Sequence, residues 1–227
     1  MSTSQSVSKN LETTHQTISK AARQWNRVKN DINLIAVSKH QTQENIQAAL
    51  DSGQRLFGEN RVQEAYKHWE EIKNNNTYPD LKLHLIGPLQ TNKVKEAVAL
   101  FDVIETLDRE KLARKLAGTM KEANKSLPCF IQVNTGEETQ KAGITPQDLT
   151  DFLDFCQNEC ALNIIGLMCI PPIDDPAALH FALLRNLAQK HNLPELSMGM
   201  SNDYEDAIAN GATYIRLGTS IFGQRNS

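Results

Sequence analysis

Residues Leu34 to Asn60 read LIAVSKHQTQENIQAALDSGQRLFGEN. Leu34 to Val37 is a short apolar run, Thr42 is a helix-start signal before ENIQAAL, and Arg55 to Phe57 begins a second short run. Strand, helix and strand in that order call for parallel strands, because a tight turn cannot join consecutive parallel strands. The same unit recurs to the end of the chain. Further strands are predicted near Leu83 to Ile86, Val103 to Thr106, Cys129 to Val133, Ile164 to Leu167, Leu196 to Met198 and Tyr214 to Leu217. Helices are signalled by Thr91 before NKVKEAVALF, Asp108 before REKLARKLAGTMKEA, Thr145-Pro146 before QDLTDFLDFCQ, and Ser201 before NDYEDAIANG. Eight alternating units predict the α/β class and a single (β/α)8 TIM barrel, compact at 227 residues against a usual ~250. An open doubly wound sheet is the alternative, disfavoured because no G-x-G-x-x-G turn follows the first strand.

Upstream, Val7, Leu11, Ile18, Trp25 and Val28 recur at helical spacing and predict a long amphipathic helix. Residues 1–30 are thus expected as a helix packed on the barrel, and residues 31–227 as the barrel itself, one domain overall. Neither Asn74-Asn75-Asn76 nor Pro171-Pro172 divides the chain into compositionally different halves.

At 40% apolar and 22% charged residues the composition is globular and excludes a disordered or fibrous protein. Lys and Arg total 24 against 27 Asp and Glu, so no overall basic field exists to hold nucleic acid. No apolar stretch approaches the ~20 residues of a membrane span, and MSTSQSVSKN lacks the features of a signal peptide, so a cytoplasmic location is expected. Cys129, Cys156, Cys160 and Cys169 show no metal-ligand spacing and are expected as reduced thiols, with no metal bound. The six histidines form no His-Glu-x-x-His or triad-like group, and none is assigned to catalysis.

Lys39 follows the first strand, at the edge that forms the mouth of a barrel. Apolar walls around its stem would favour the neutral amine, a nucleophile toward a carbonyl; the competing reading is a solvated strand-end lysine. The loops after the seventh and eighth strands carry Ser201 and Gly218-Thr219, suited to phosphate on backbone N–H groups and hydroxyls, although Ser201 also reads as a plain N-cap and Gly218 as a turn glycine. Arg216 alternates with Ile215 and Leu217, so if it faces the interior it needs an acceptor, from a ligand or from a structural ion pair. FGENR after the second strand and HLIGPLQTNK around the third add polar residues to the same mouth.

Taken in order, Ala36-Val37-Ser38-Lys39, Phe57-Gly58-Glu59-Asn60, Leu85 to Lys93, Ile131 to Asn134 with Glu138, Lys141 and Gly143, Gly166-Leu167-Met168, and Ser197 to Ser201 through Ile221-Phe222-Gly223 resemble the pyridoxal phosphate homeostasis protein family. The resemblance implies a barrel of the alanine racemase N-terminal type holding pyridoxal 5'-phosphate (PLP) as a Schiff base on Lys39. It further implies that Ser201, Gly218 and Thr219 bind the phosphate, that Arg216 stands beside the pyridine nitrogen, and that Asn60 lies next to the cofactor. Pro88 and Thr106-Leu107-Asp108 depart from the family, which often has His and Val-Asp-Ser there.

A cationic arginine beside the ring nitrogen disfavours its protonation and so weakens the electron sink. The chain ends at Ser227, just past the eighth unit, so no lid with a second acid or base is expected. The expected function is intracellular PLP homeostasis, by buffering or delivery, with no catalytic residues. The expected partners are PLP and PLP-dependent acceptor enzymes, and the expected state is a monomer. The alternatives are a PLP-dependent amino-acid racemase and a lysine-dependent aldolase working without PLP.

Overall fold

The computed structural model describes residues 3–224. Its elements follow in chain order as α1 (Thr3–Gln24), β1 (Asn33–Val37), α2 (Gln43–Asp51), β2 (Leu56–Glu59), α3 (Val62–Asn74), β3 (Lys82–Leu85), α4 (Val94–Leu100), β4 (Val103–Leu107) and α5 (Glu110–Glu122). They continue as β5 (Cys129–Gln132), α6 (Leu149–Asp154), β6 (Ile164–Met168), α7 (Ala177–Lys190), β7 (Glu195–Ser197), α8 (Tyr204–Ala209), β8 (Tyr214–Leu217) and α9 (Thr219–Phe222). All eight predicted strands are present, and they close into one parallel barrel in sequence order with β1 joined to β8.

Alternation along each strand builds two layers. Leu34, Ala36, Phe57, Leu83, Leu85, Ile104, Ile131, Ile215 and Leu217 lie in the main apolar core with the buried helix faces, while Val103, Phe130 and Met168 form a second, smaller cluster. Gly58 is required by crowding: a Cβ there would stand 2.7 Å from Ile35 Cγ2 and 3.0 Å from Ile86 Cδ1. Registers Ala36 to both Phe57 and Leu217, and Val37 to Gly58, bring the ends of β1, β2 and β8 to one level.

Helix α1 buries Val7, Leu11 and Ile18 and packs on α2, α8 and α9. It stops at Gln24, and Asn26 adopts a left-handed φ of 52°, so Trp25 (52% exposed) and Val28 (61%) leave the predicted buried face. Arg27 then ties the connection to the carbonyls of Ile208 and Ala212 at 3.1 and 2.6 Å.

Thr42 caps α2 as predicted, accepting the Asn45 N–H at 3.3 Å. Elsewhere the helices begin later than their sequence signals. Thr91 opens a 3₁₀ turn ahead of α4, and α6 starts after Asp148, three residues beyond Thr145. Ser201 is not an N-cap: Asp203 takes that position, and its Oδ1 accepts the Met200 N–H at 2.6 Å, which closes a turn over residues 200–203 before α8 can start.

Candidate functional site

The C-terminal ends of β1 and β2 set the position of Lys39. It lies two residues beyond β1, half-buried, and its Nζ has no hydrogen bond or ion pair among the described residues. Both chain neighbours are anchored to carboxylates. Ser38 Oγ donates to Glu59 Oε1 at 2.7 Å, and the same oxygen accepts the Trp69 indole N–H at 3.1 Å and meets His68 Nδ1 at 2.9 Å. Glu59 is wholly buried; these contacts all serve Oε1, and Oε2 has no hydrogen-bond partner among the described residues. The hydrogen bond from the imidazole to Glu59 raises the His68 pKa, and burial opposes it. On the other side His40, at a left-handed φ of 60°, gives its backbone N–H to Glu64 and brings Nδ1 within 3.2 Å of the same carboxylate.

Asn60 is half-buried, and its side chain has no partner among the described residues. Its backbone is approached so closely by Gly87 that a Cβ on residue 87 would stand 2.3 Å from the Asn60 carbonyl oxygen. Thr106 Oγ1 donates to the Gly87 carbonyl at 2.9 Å and Arg109 to that of Leu89 at 2.8 Å. The strand 3 and 4 side of the mouth is therefore stitched by Thr106 and Arg109.

Across the mouth, Thr219 Oγ1 donates to Ser201 Oγ at 3.0 Å, so two loops eighteen residues apart present a hydroxyl pair. The backbone N–H groups of Ser201, Asn202, Gly218, Thr219 and Ser220 have no acceptor among the described residues. Open N–H groups converging with hydroxyls suit an anion. Asp203 is the nearest acid in the chain, and its carboxylate is engaged with the Met200 N–H.

Arg216 is 4% exposed and turned into the barrel. It forms no direct ion pair among the described residues: one terminal nitrogen donates to Ser197 Oγ and the other to the Cys169 carbonyl, each at 2.8 Å. A guanidinium has five N–H donors, so three remain without an acceptor among the described residues. Ser197 Oγ donates onward to Glu105 Oε2 at 2.6 Å, and Glu105 Oε1 meets His84 Nδ1 at 2.6 Å. Burial pushes the Cys169 thiol up to about 12, with Arg216 pulling the other way.

The chain matches the family model described as "Alanine racemase, N-terminal domain" over residues 3–226. It is 39% identical over 230 residues to the pyridoxal phosphate homeostasis protein of Pasteurella multocida (strain Pm70), covering 97% of this chain and 98% of that one. The chain belongs to the pyridoxal phosphate homeostasis protein family. Among solved structures it is similar to PipY of Synechococcus elongatus PCC7942 with PLP bound, at a TM-score of 0.76 and 38% identity, covering 91% of this chain and 100% of that one. An unknown protein from Bifidobacterium adolescentis superposes at a TM-score of 0.89 with 27% identity, over 96% of this chain and 95% of that one.

In this member of the pyridoxal phosphate homeostasis protein family, Lys39, Asn60, Gly218 and Thr219 stand at the ends of the adjacent strands β1, β2 and β8, Ser201 joins them from the loop after β7, and Arg216 lies inside the barrel. The sequence reading did not assign Glu59, Glu64, His68, Glu105, His84 or Ser197. A signal existed for the last three: each is a polar residue at an inward register inside an apolar strand, as Arg216 is. Glu59, Glu64 and His68 offer ligand atoms within 4.8 Å of one another, but Glu59 Oε1 already accepts from Ser38 and Trp69.

Proposed function

We propose that this chain binds pyridoxal 5'-phosphate through Lys39 and serves PLP homeostasis, by buffering the cofactor or delivering it to PLP-dependent acceptor enzymes, with no catalytic turnover of its own. The observation that carries the reading is the partnerless amine of Lys39 beside two loops whose open N–H groups and hydroxyls suit a phosphate. The relatives' names and the PLP-bound PipY structure support the same ligand.

In this reading Ser201, Gly218 and Thr219 hold the phosphate, and Arg216 uses its spare donors on the ring nitrogen's lone pair. Asn60 lines the side of the ring near β2. The cofactor supplies an aldehyde for covalent attachment and a ring that withdraws electrons from a bound amine. A guanidinium donates hydrogen bonds without giving up a proton, so a ring nitrogen held by Arg216 would stay unprotonated and its electron withdrawal would be weak. Glu59 holds the Ser38 hydroxyl and Glu64 the His40 backbone N–H, so the residues on either side of Lys39 are anchored without either carboxylate touching the amine.

The test is the absorbance spectrum of protein purified with PLP, followed by borohydride reduction and peptide mapping. The expected result is one reduced adduct on Lys39 and none in Lys39→Ala. An unchanged adduct in Lys39→Ala overturns the assignment, and Cα deuterium exchange of amino acids faster than with free PLP overturns the non-catalytic reading.

A further inference from the structure

Four strands each turn one polar side chain into the barrel below the mouth: His84 from β3, Glu105 from β4, Ser197 from β7 and Arg216 from β8. None is more than 4% exposed. A buried cation and a buried anion each carry a heavy desolvation cost, and each is tolerable here because the other is near. They do not touch. The Ser197 hydroxyl lies between them, 2.8 Å from the Arg216 nitrogen and 2.6 Å from Glu105 Oε2. A hydroxyl has one proton and a guanidinium has no acceptor, so Ser197 must donate to Glu105 and accept from Arg216.

That polarity has two effects. The carboxylate orients the serine, and the serine oxygen then holds one end of the guanidinium, while the Cys169 carbonyl holds the other at 2.8 Å. Glu105 also places a negative charge one hydroxyl away from a cation that otherwise stands alone inside the barrel. Its second oxygen is taken by His84 Nδ1 at 2.6 Å, so the carboxylate cannot turn away.

We propose that Glu105, acting through Ser197, is the positioning residue and counter-charge of Arg216, and that it sets the net charge felt by the cofactor in the site. The inference rests on the PLP reading given above. Glu105 is not a catalytic residue, because it reaches the cofactor only through Arg216. The groups facing Glu105 are His84 from β3, and Arg216 and Tyr214 from β8. Those flanking Lys39 are His40, Glu59, Glu64 and His68, and they are identical in every variant below.

The linking nitrogen of the Lys39 adduct carries a proton and a positive charge on the acid side of its titration. Its absorbance midpoint therefore reads the local charge. Removing a buried negative charge lowers that midpoint and removing a buried positive one raises it, by an amount that falls with distance and is on the order of one pH unit for any charge about 10 Å off at an effective dielectric constant near 20. Glu105→Gln is expected to lower the midpoint and Arg216→Gln to raise it. The double variant Glu105→Gln/Arg216→Gln is expected to return close to wild type. Loss of packing alone would not produce opposite signs that cancel.

If Glu105→Gln does not fold, Ser197→Ala serves in its place. It keeps both charges but frees one end of the guanidinium, and is expected to weaken PLP binding at least threefold with a midpoint within about 0.3 pH unit of wild type. Shifts of the same sign in both single variants, no shift in either, or undiminished affinity in Ser197→Ala would overturn the proposal. A wild-type protein that forms no reducible adduct on Lys39 would instead overturn the PLP reading itself, so the two failures are distinguishable.

Discussion

Replacing Glu59 with alanine removes the acceptor shared by Ser38, His68 and Trp69, and the cost follows from what each donor does next. The Trp69 side chain is fully buried, and its N–H has no other acceptor among the described residues. An orphaned buried donor costs about 1–3 kcal/mol. Ser38 turns to the Gly58 carbonyl, already 3.4 Å away, and its loss is small. His68 retains 14% side-chain exposure and reaches water. The missing side chain also leaves a void, worth about 1 kcal/mol. Relief of a buried charge offsets part of this, so Glu59→Ala should be destabilised by about 1–3 kcal/mol, a large share of a typical 5–15 kcal/mol. Glu59→Gln keeps one acceptor oxygen and should fall between the two. The assay is urea unfolding of the cofactor-free protein followed by far-ultraviolet circular dichroism. A Glu59→Ala variant within about 0.5 kcal/mol of wild type would refute the reasoning, because it would mean that the indole N–H and the Ser38 hydroxyl gain nothing from the carboxylate.

Three further outcomes are expected. The His68 pKa is raised in the folded state by its hydrogen bond to Glu59, so its contribution to stability is fully present below the unfolded value of about 6.5 and fades as pH rises through the folded value. His68→Gln should therefore lose most relative to wild type near about pH 6 and least near about pH 9, and unfolding curves with a constant difference across that range would contradict it. The double variant Ser201→Ala/Thr219→Ala should bind PLP roughly 5- to 150-fold more weakly, from the loss of about 1–3 kcal/mol, with pyridoxal, which lacks the phosphate, unaffected in a spectroscopic titration. Cys129, Cys156 and Cys169 are buried with thiols pushed up to about 12 by desolvation, whereas Cys160 is partly exposed. An aromatic disulfide reagent should accordingly label one thiol quickly in the folded protein and all four in urea; rapid labelling of three or more in the native state would contradict the burial.

The strand order, the barrel and the position of Lys39 were legible because each depends on local signals. A short apolar run recurs eight times and a helix-start signal five times, and parallel pairing of consecutive strands follows from chain connectivity. Arg216 was legible in the same way, as a charge standing inside an apolar strand. Helix starts were less so. Thr42 does cap α2, but Ser201 lost its expected capping role to Asp203, since a side chain two residues further on closed the turn first. Trp25 and Val28 continue the helical period of α1 in sequence, yet the chain leaves the helix before them.

The sequence alone determined which residues alternate, where each strand leaves the barrel, and that a lysine and two small-residue loops stand at its mouth. Only the tertiary structure decided which polar groups meet. Ser197 and Glu105 are 92 residues apart, and no period or spacing links them. Closing eight staggered strands brings inward side chains from β3, β4, β7 and β8 to one level, where buried polar groups need partners within the protein or from a ligand. The same closure explains Gly87, whose lack of a side chain matters only because Asn60 passes 2.3 Å from where a Cβ would stand. Local patterning sets the order of the elements, and the partners are chosen by long-range packing in a space with no solvent to replace them.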